Sequence, residues 1–327
     1  MALKDIVSDI RSYAGITRKS DIGRLVEMLG GGREAGNSRV VTGFGEDAAA
    51  IAHGDHYLLL AAEGMWPRFI NAEPYAAGKA AVTASVNDIY AMGGRPLAMV
   101  NVLSVTNGEQ RDLVMDGVRK GCEKLMVPMV GGHLNPDAGE VSLAVAILGT
   151  ARSLLQSTNA REGQKVVLAV DLNGAQGQCK SVVSWDVHSG KTPEYLVERL
   201  SLLPFIAEAG LCRTAKDVSN GGIVGTLSLL CEYSGTGARL ILDSIPRPPR
   251  MELPAWIKSF LSYGFLLCVE EPALTSCLDV FQGKGITAAV IGEIIKERRM
   301  ILCYRGDEET LFDLTRETLT GGRHAET

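Results

Sequence analysis

The chain has 327 residues, 46% hydrophobic and 22% charged, with a formal net charge of −5 and 37 glycines. That apolar share can bury a core and the charge is too small to hold a chain open, which excludes disorder as the main state; 12 prolines and no G-X-Y period exclude collagen and a proline-rich linker. A slightly acidic balance, 6% aromatic residues and no run near the roughly 18 apolar residues of a membrane helix leave no footprint for nucleic acid or a membrane.

Taken in order, Leu3, Ile6, Val7, Ile10 and Tyr13 have helical spacing, and Ser20 caps a second helix carrying Ile22, Leu25, Val26 and Leu29. Gly30, Gly31 and Gly32 stop it. Short β-like runs follow at 38–41, 48–51 and 57–62, then a small-residue helix at 74–92, a strand at 97–104, a helix at 109–125 and strands at 126–130 and 141–150. The polar segment 151–163 ends in a turn signal and divides two expected domains, 1–155 and 160–320, with 321–327 as a flexible tail. Beyond it the pattern gives strands at 165–171, 239–242, 265–269, 288–294 and 300–304, and helices at 193–209, 222–233, 254–262, 272–281 and 308–319. Such alternation means α/β or α+β. The seven cysteines are odd in number and never spaced C-x-x-C, so they read as small buried hydrophobes; with no signal-like N-terminus, a cytoplasmic protein is expected.

Several strings set an acidic or polar group beside glycine at a strand end, or on a helix facing one. In Gly43-Phe44-Gly45-Glu46-Asp47-Ala48 the glycines allow close backbone approach and the paired acids offer hard oxygen ligands for Mg²⁺, although a turn with solvated acids reads the same way. Glu63 leaves the apolar run 58–62, where open α/β sheets place ligands. Asn87 and Asp88 lie in a helix of alanines, Ala76, Ala77, Ala80, Ala81 and Ala84, which suggests an inward-facing carboxylate. After another apolar strand, Gly131 and Gly132 offer N–H groups for phosphate and His133 a further donor. In Lys216-Asp217-Val218-Ser219-Asn220-Gly221-Gly222, Ser219 or Asn220 is placed to cap the next helix and Asp217 to hold a metal against an anion at its N-terminus.

Together and in this order, GEDAAAI, Glu63, NDIYAMGGRP, GGH and DVSNGG resemble the superfamily of aminoimidazole ribonucleotide (AIR) synthetase, formylglycinamide ribonucleotide amidotransferase, selenophosphate synthetase, the hydrogenase-maturation dehydratase and thiamine-monophosphate kinase. The GGHxxPD form is similar to its AIR synthetase-related branch. This resemblance implies a two-domain α/β (α+β) AIR synthetase-like fold, with an N-terminal sheet that pairs across a homodimer, a C-terminal α/β domain and Mg-ATP in the cleft between them. It makes Asp47, Asp88 and Asp217 catalytic and metal-associated, with Glu46 and Glu63 as further metal ligands. Gly45, Glu46, Asp47, Asn87, Asp88, Gly131, Gly132, His133, Ser219 and Asn220 become the ATP-binding set. Glu63 stands where kinase-like members have a T-D element, His133 replaces the aspartate of G-G-D, and Asn220 replaces a second acid, so fewer Mg²⁺ ions or a different phosphate contact is expected. The implied reaction is phosphoryl transfer to an oxygen of a small metabolite. It takes the form of synthetase-like activation of an amide or carbonyl oxygen, a small-molecule kinase reaction, or an ATP-binding assembly protein without turnover. Candidate acceptor-binding residues are Trp66 and Arg68, just beyond Glu63, and Trp185, His188 and Lys191 in the loop 178–194, which reads equally as a substrate cover or a plain surface loop.

Overall fold

The computed structural model describes residues 2–29, 39–42, 44–177 and 182–321. The first half comprises α1 (Leu3–Arg11), α2 (Ala14–Thr17), α3 (Ile22–Met28), β1 (Ala49–His53), β2 (His56–Met65), α4 (Pro67–Ala72), α5 (Pro74–Ala91), β3 (Arg95–Ser104), α6 (Gly108–Leu125), β4 (Met129–Asn135) and β5 (Ser142–Ala151). After a 3-10 turn at Ser157–Asn159 come β6 (Lys165–Val170), β7 (Ala175–Gln176), β8 (Ser184–Asp186), α7 (Pro193–Leu200), α8 (Leu202–Glu208), β9 (Ala215–Asp217), α9 (Gly222–Ser234) and β10 (Gly237–Ile241). The chain ends with α10 (Leu253–Trp256), β11 (Phe260–Leu261), β12 (Gly264–Val269), α11 (Glu271–Gln282), β13 (Thr287–Ile295), β14 (Arg299–Tyr304) and β15 (Asp307–Asp313). None of the described helices is long and apolar enough to cross a membrane.

Two sheets organise the molecule, a five-stranded one in the order β1-β2-β5-β3-β4 and a seven-stranded one in the order β15-β14-β10-β13-β6-β12-β9. Most neighbours run antiparallel; β3 with β4 and β10 with β14 are parallel. A small third sheet, β11-β8-β7, sits beside them. The five-stranded sheet buries Leu59, Ala61, Val145, Ile147, Met99 and Leu103 on one face, against α5 and α6. Its other face carries Leu60, Leu148, Val100 and Val102, all exposed. At the start of the chain, α1 buries Leu3, Ile6 and Ile10 against β14 and β15, so the first helix packs on the second sheet, although it precedes the first in sequence.

Helix α5 is the spine of the first half. Its residues from Ala77 to Ala91 are almost all buried, because alanine and glycine let neighbours approach from every side. The crossing with α6 is at backbone contact: a Cβ on Gly78 would overlap the Val114 carbonyl oxygen, and one on Gly117 the Tyr75 carbonyl oxygen. Asn107 caps α6 by accepting from the Gln110 N–H at 3.1 Å.

Several elements depart from their sequence periodicity. The expected helix 308–319 is strand β15, because Arg305 and Gly306 adopt positive φ (53° and 86°) and turn the chain back onto β14. The expected helix 254–262 stops at Trp256 and continues as β11; the one at 193–209 breaks at Ser201, with Pro204 in the first turn of α8. Strand β9 and the strands β7 and β8 carry no sequence signal. Near the expected strand 38–41 the described residues show only a Val40–Ile51 bridge, and the glycine run 30–32 lies outside the described residues.

Alanine normally favours a helix interior over glycine by about 0.5–1 kcal/mol. Gly117→Ala is expected to reverse that sign and destabilise the protein by about 2 kcal/mol in urea unfolding, through overpacking against Tyr75. Gly108→Ala, at the open start of the same helix, is expected to be neutral or slightly stabilising.

Candidate functional site

Four elements deliver carboxylates to one place. Asp47 ends the loop before β1, Glu63 lies in β2, Asp88 sits in the last turn of α5 and Asp217 ends β9. Asp47, Asp88 and Asp217 each place a carboxylate oxygen within 4.8 Å of the other two. Asp88 and Asp217 are only 6% and 3% exposed, and in each the Oδ2 atom is buried without a hydrogen-bond partner. Burial, reinforced by Asp217, Glu63 and Asp47, pushes the Asp88 carboxyl well above the usual carboxylate range; burial and then Asp47 do the same to Asp217. Glu63 is raised by burial too, with Lys19 opposing and Asp47 adding to the shift.

Unpaired buried carboxylate oxygens are costly unless something fills the place. Hard oxygen donors converging from several elements fit a divalent cation such as Mg²⁺, with Asp88 and Asp217 as the freest ligands. Asp47 is more committed: one oxygen pairs with the Lys216 ammonium and the other accepts the Asp217 N–H at 3.3 Å. Lys216 also donates to the Gly45 carbonyl at 3.1 Å, and Asp47 holds its ammonium above the ordinary lysine value although burial works against the charge. Gly45 has φ 105°, and a Cβ there would enter the Tyr233 ring, so glycine lets this loop reach the cluster.

Around the cluster lies a cavity of about 950 Å³, at the upper end of the range of roughly 300–1,000 Å³ for small-molecule sites. Both halves of the chain line it. Glu46, Asp47, Glu63, Asp88, Trp66, Trp185, His188, Asp217, Ser219 and Asn220 are all at its wall. Lys19 and Lys216, to which sequence gave no role, are there as well.

Several expected roles change. Glu46 is no metal ligand: its Oε2 accepts from the Ser157 N–H and hydroxyl (2.8 and 2.9 Å), and its Oε1 from the Thr158 N–H and hydroxyl (3.1 and 3.0 Å). It anchors the Asp47 loop to the turn between the two halves. Asn87 is fully buried outside the cavity lining and donates to the Ser262 carbonyl at 3.3 Å, a tie between halves rather than a nucleotide contact. Gly131, Gly132 and His133 do not line the cavity either. They lie exposed on the edge strand β4, three strands and so about 14 Å from β2, and His133 Nε2 is 3.0 Å from Asn135 Oδ1. Neither Ser219 nor Asn220 caps α9, because Gly221 holds that position without a side-chain bond.

Of the acceptor candidates, Trp66 is 37% exposed at the cavity wall, with the Arg18 and Arg68 guanidinium groups 4.7 and 5.7 Å from its ring centroid; Arg68 does not line the cavity. Trp185 is a buried wall, donating to the Asp171 carbonyl at 2.9 Å and edge-on to Trp256. Lys191 lies outside the lining, 4.9 Å from the Tyr195 ring centroid. Residues 178–181 of that loop, with Lys180, are outside the described set. His188 is 2% exposed beside Thr83 and its N–H donates to Asp186 Oδ1 at 2.8 Å.

A two-domain α/β protein with a buried carboxylate cluster between its halves is what fold and site define. Residues 45–151 match the N-terminal domain, and residues 161–304 the C-terminal domain, of AIR synthase related protein. An uncharacterised protein of Synechocystis is 38% identical over 98% of both chains, and one of Methanocaldococcus jannaschii 36% identical over 98% of this chain and 100% of its own. The chain belongs to the AIR synthase related family. A phosphoribosylformylglycinamidine synthase subunit PurL of Thermococcus kodakarensis is 28% identical over 87% of this chain and 43% of its own. The fold is shared with T. maritima PurL complexed with FGAR (TM-score 0.79, 18% identity, 100% of this chain and 55% of that one) and with AaThiL complexed with AMPPCP and TMP (TM-score 0.66, 16% identity, 86% and 93%). The same PurL complexed with ATP gives a TM-score of 0.69 at 23% identity, over 92% and 55%. This chain spans about half the length of the PurL chains it matches.

Burial lowers the His188 pKa to about 4, from an ordinary value of about 6.5. Between these values the unfolded chain binds more protons than the folded one, so stability rises with pH. The contribution, about 3 kcal/mol at most, is complete above pH ~6.5 and lost as pH falls towards 4. Urea midpoints at pH 7 and 4.5 should therefore converge in His188→Gln relative to wild type; parallel pH profiles would show that His188 titrates normally.

Proposed function

We propose that this protein is an Mg²⁺- and ATP-dependent enzyme that transfers the γ-phosphoryl group to an oxygen of a small metabolite, activating an amide or carbonyl oxygen as synthetases do. The observation that carries the reading is the trio Asp47, Asp88 and Asp217 at the wall of a cavity of about 950 Å³, with one buried, unpartnered carboxylate oxygen on each of Asp88 and Asp217. Complexes of fold relatives with ATP and with AMPPCP support it. A bound Mg²⁺ neutralises phosphate charge and orients the phosphoryl group for in-line attack. Asp88 and Asp217 would hold it. Lys216 fixes Asp47, Glu46 fixes the loop that carries Asp47, and the walls from both halves exclude water from the reacting atoms.

ADP release measured over a panel of amide- and carbonyl-bearing metabolites tests this reading. Turnover should require Mg²⁺ and fall roughly 100-fold or more in Asp88→Asn and Asp217→Asn, and by less in Glu46→Gln, which keeps one acceptor oxygen for the anchoring turn. Phosphorylated acceptor accumulating as the product would favour the kinase form of the reaction; nucleotide binding without turnover on any acceptor would favour an assembly role. Protein that binds neither Mg²⁺ nor ATP would overturn the proposal.

The same reading includes a cytoplasmic homodimer. The bare face of the five-stranded sheet, with Leu60, Leu148, Val100 and Val102 exposed, has the character of a surface that pairs with a second copy. On β4, His133 stands in register with Val102, which puts it on this face rather than in its own cleft. Val102→Glu is expected to convert a dimer into a monomer by light scattering, and an unchanged dimer mass would exclude this face.

A further inference from the structure

We infer that Lys19, from the segment between α2 and α3, is a phosphate-binding residue of the site, its ammonium meeting the phosphate oxygens of a nucleoside triphosphate held at Asp47, Asp88 and Asp217. The inference rests on the functional reading above and adds a residue outside the family-matched segments 45–151 and 161–304.

Each of the other cations at the cavity wall is committed. Lys216 pairs with Asp47 and the Gly45 carbonyl, Lys79 lies 3.6 Å from Asp186, and Arg18 donates to the Ala14 carbonyl at 2.8 Å while stacking on Trp66. Lys19 lines the same cavity and, among the described residues, its ammonium makes no hydrogen bond and no ion pair within 4 Å. It lies within electrostatic reach of Asp217, Asp47 and Glu63 and is repelled by Lys216; burial, first, and Lys216 lower its pKa from the ordinary lysine value. A lysine of purely structural use is paired or solvated. One held off the carboxylates inside a cavity leaves room for an anion between, and a compact ammonium is a fitting point charge for phosphate.

Its position is built rather than incidental. A Cβ on Gly15 would overlap the Asn220 carbonyl oxygen, so α2 touches the loop that follows Asp217 at backbone distance. Ile16 is buried against Gly225 of α9, the Tyr13 hydroxyl donates to the Lys258 carbonyl at 3.1 Å, and the Gly23 N–H donates to the Thr320 carbonyl at 2.6 Å. Lys19 is thus clamped on both sides to the half of the protein that carries Asp217. The anion could be supplied by the nucleotide or by a phosphorylated acceptor; the Mg²⁺-binding trio beside Lys19 favours the nucleotide.

Calorimetric titration of the full chain with Mg-ATP, and separately with Mg²⁺ alone, tests the assignment in wild type, Lys19→Met and Lys19→Arg. Losing a charge-assisted bond should weaken Mg-ATP binding about 10- to 100-fold in Lys19→Met, with Lys19→Arg retaining most of the affinity. Mg²⁺ alone should bind Lys19→Met as tightly as wild type or several-fold more tightly, since a neighbouring positive charge has gone. Weaker Mg-ATP binding with no loss of Mg²⁺ affinity supports a phosphate contact. Unchanged Mg-ATP affinity, or equal loss of both together with a lower melting temperature, overturns it. Wild-type protein that binds no Mg-ATP overturns the functional reading and this inference with it.

Discussion

Carboxylates that share a buried place repel one another, and much of this architecture is arranged around that fact. Asp47, Glu63, Asp88 and Asp217 converge where water is scarce, and Asp88 and Asp217 carry raised pKa values as the direct result. The surroundings offset the charge in two ways, an ammonium from Lys216 and a backbone N–H from Asp217 to Asp47, while glycine at position 45 admits the loop to the cluster. Such an arrangement is expensive as structure and sensible as a site. The small residues of α5 follow from the same demand. Asp88 reaches the interior only because the helix that bears it is enclosed by a sheet and by α6 at backbone contact, and bulkier residues on α5 would hold those neighbours away.

No single segment holds this cluster, so folding and site formation are one event. Asp47 belongs to a loop fastened by Glu46 to Ser157 and Thr158, residues more than 100 positions later, and it is bonded again to Lys216 and Asp217 in the second half. Asn87, one residue before Asp88, donates to the Ser262 carbonyl. The ties between halves are therefore neighbours of the site, in sequence and in space. Rigid placement of reacting groups is what phosphoryl transfer requires of a protein, since the chemistry asks for positioning and charge neutralisation more than for a nucleophile.

The two carboxylates with unpartnered oxygens were also the most legible residues. An aspartate among alanines in an otherwise apolar helix, and another ahead of a double glycine, contradict their local surroundings, and such contradictions mark sites. What stayed hidden depended on long-range partners. Glu46 and Asp47 are adjacent acids in sequence, yet one is saturated by four donors from the 3-10 turn and the other faces the cluster. His133 follows a double glycine at the end of an apolar run, as a phosphate contact would, but strand order puts β4 at the far edge of the sheet. Residues 308–319 have helical spacing, overruled by the positive φ of Arg305 and Gly306. Lys19 had no signal at all, because a lysine becomes informative only when its lack of a partner is known.

The raised Asp88 and Asp217 carboxyls bear on how the site takes its ligands. At these oxygens protons and a divalent cation would compete, so binding of the proposed cation would displace protons and strengthen as pH rises. In the proposed reaction a cation held there would remove the excess negative charge that repels a triphosphate. Lys216 cannot fill that place, being held by Asp47 and Gly45, and Lys19 stands off the carboxylates. An acidic cluster alone repels phosphate and lysines alone would collapse onto the acids. On the proposed function, a cation bound by the acids, with one ammonium kept apart from them, would give the cavity an attraction for Mg-ATP that neither set of side chains has separately.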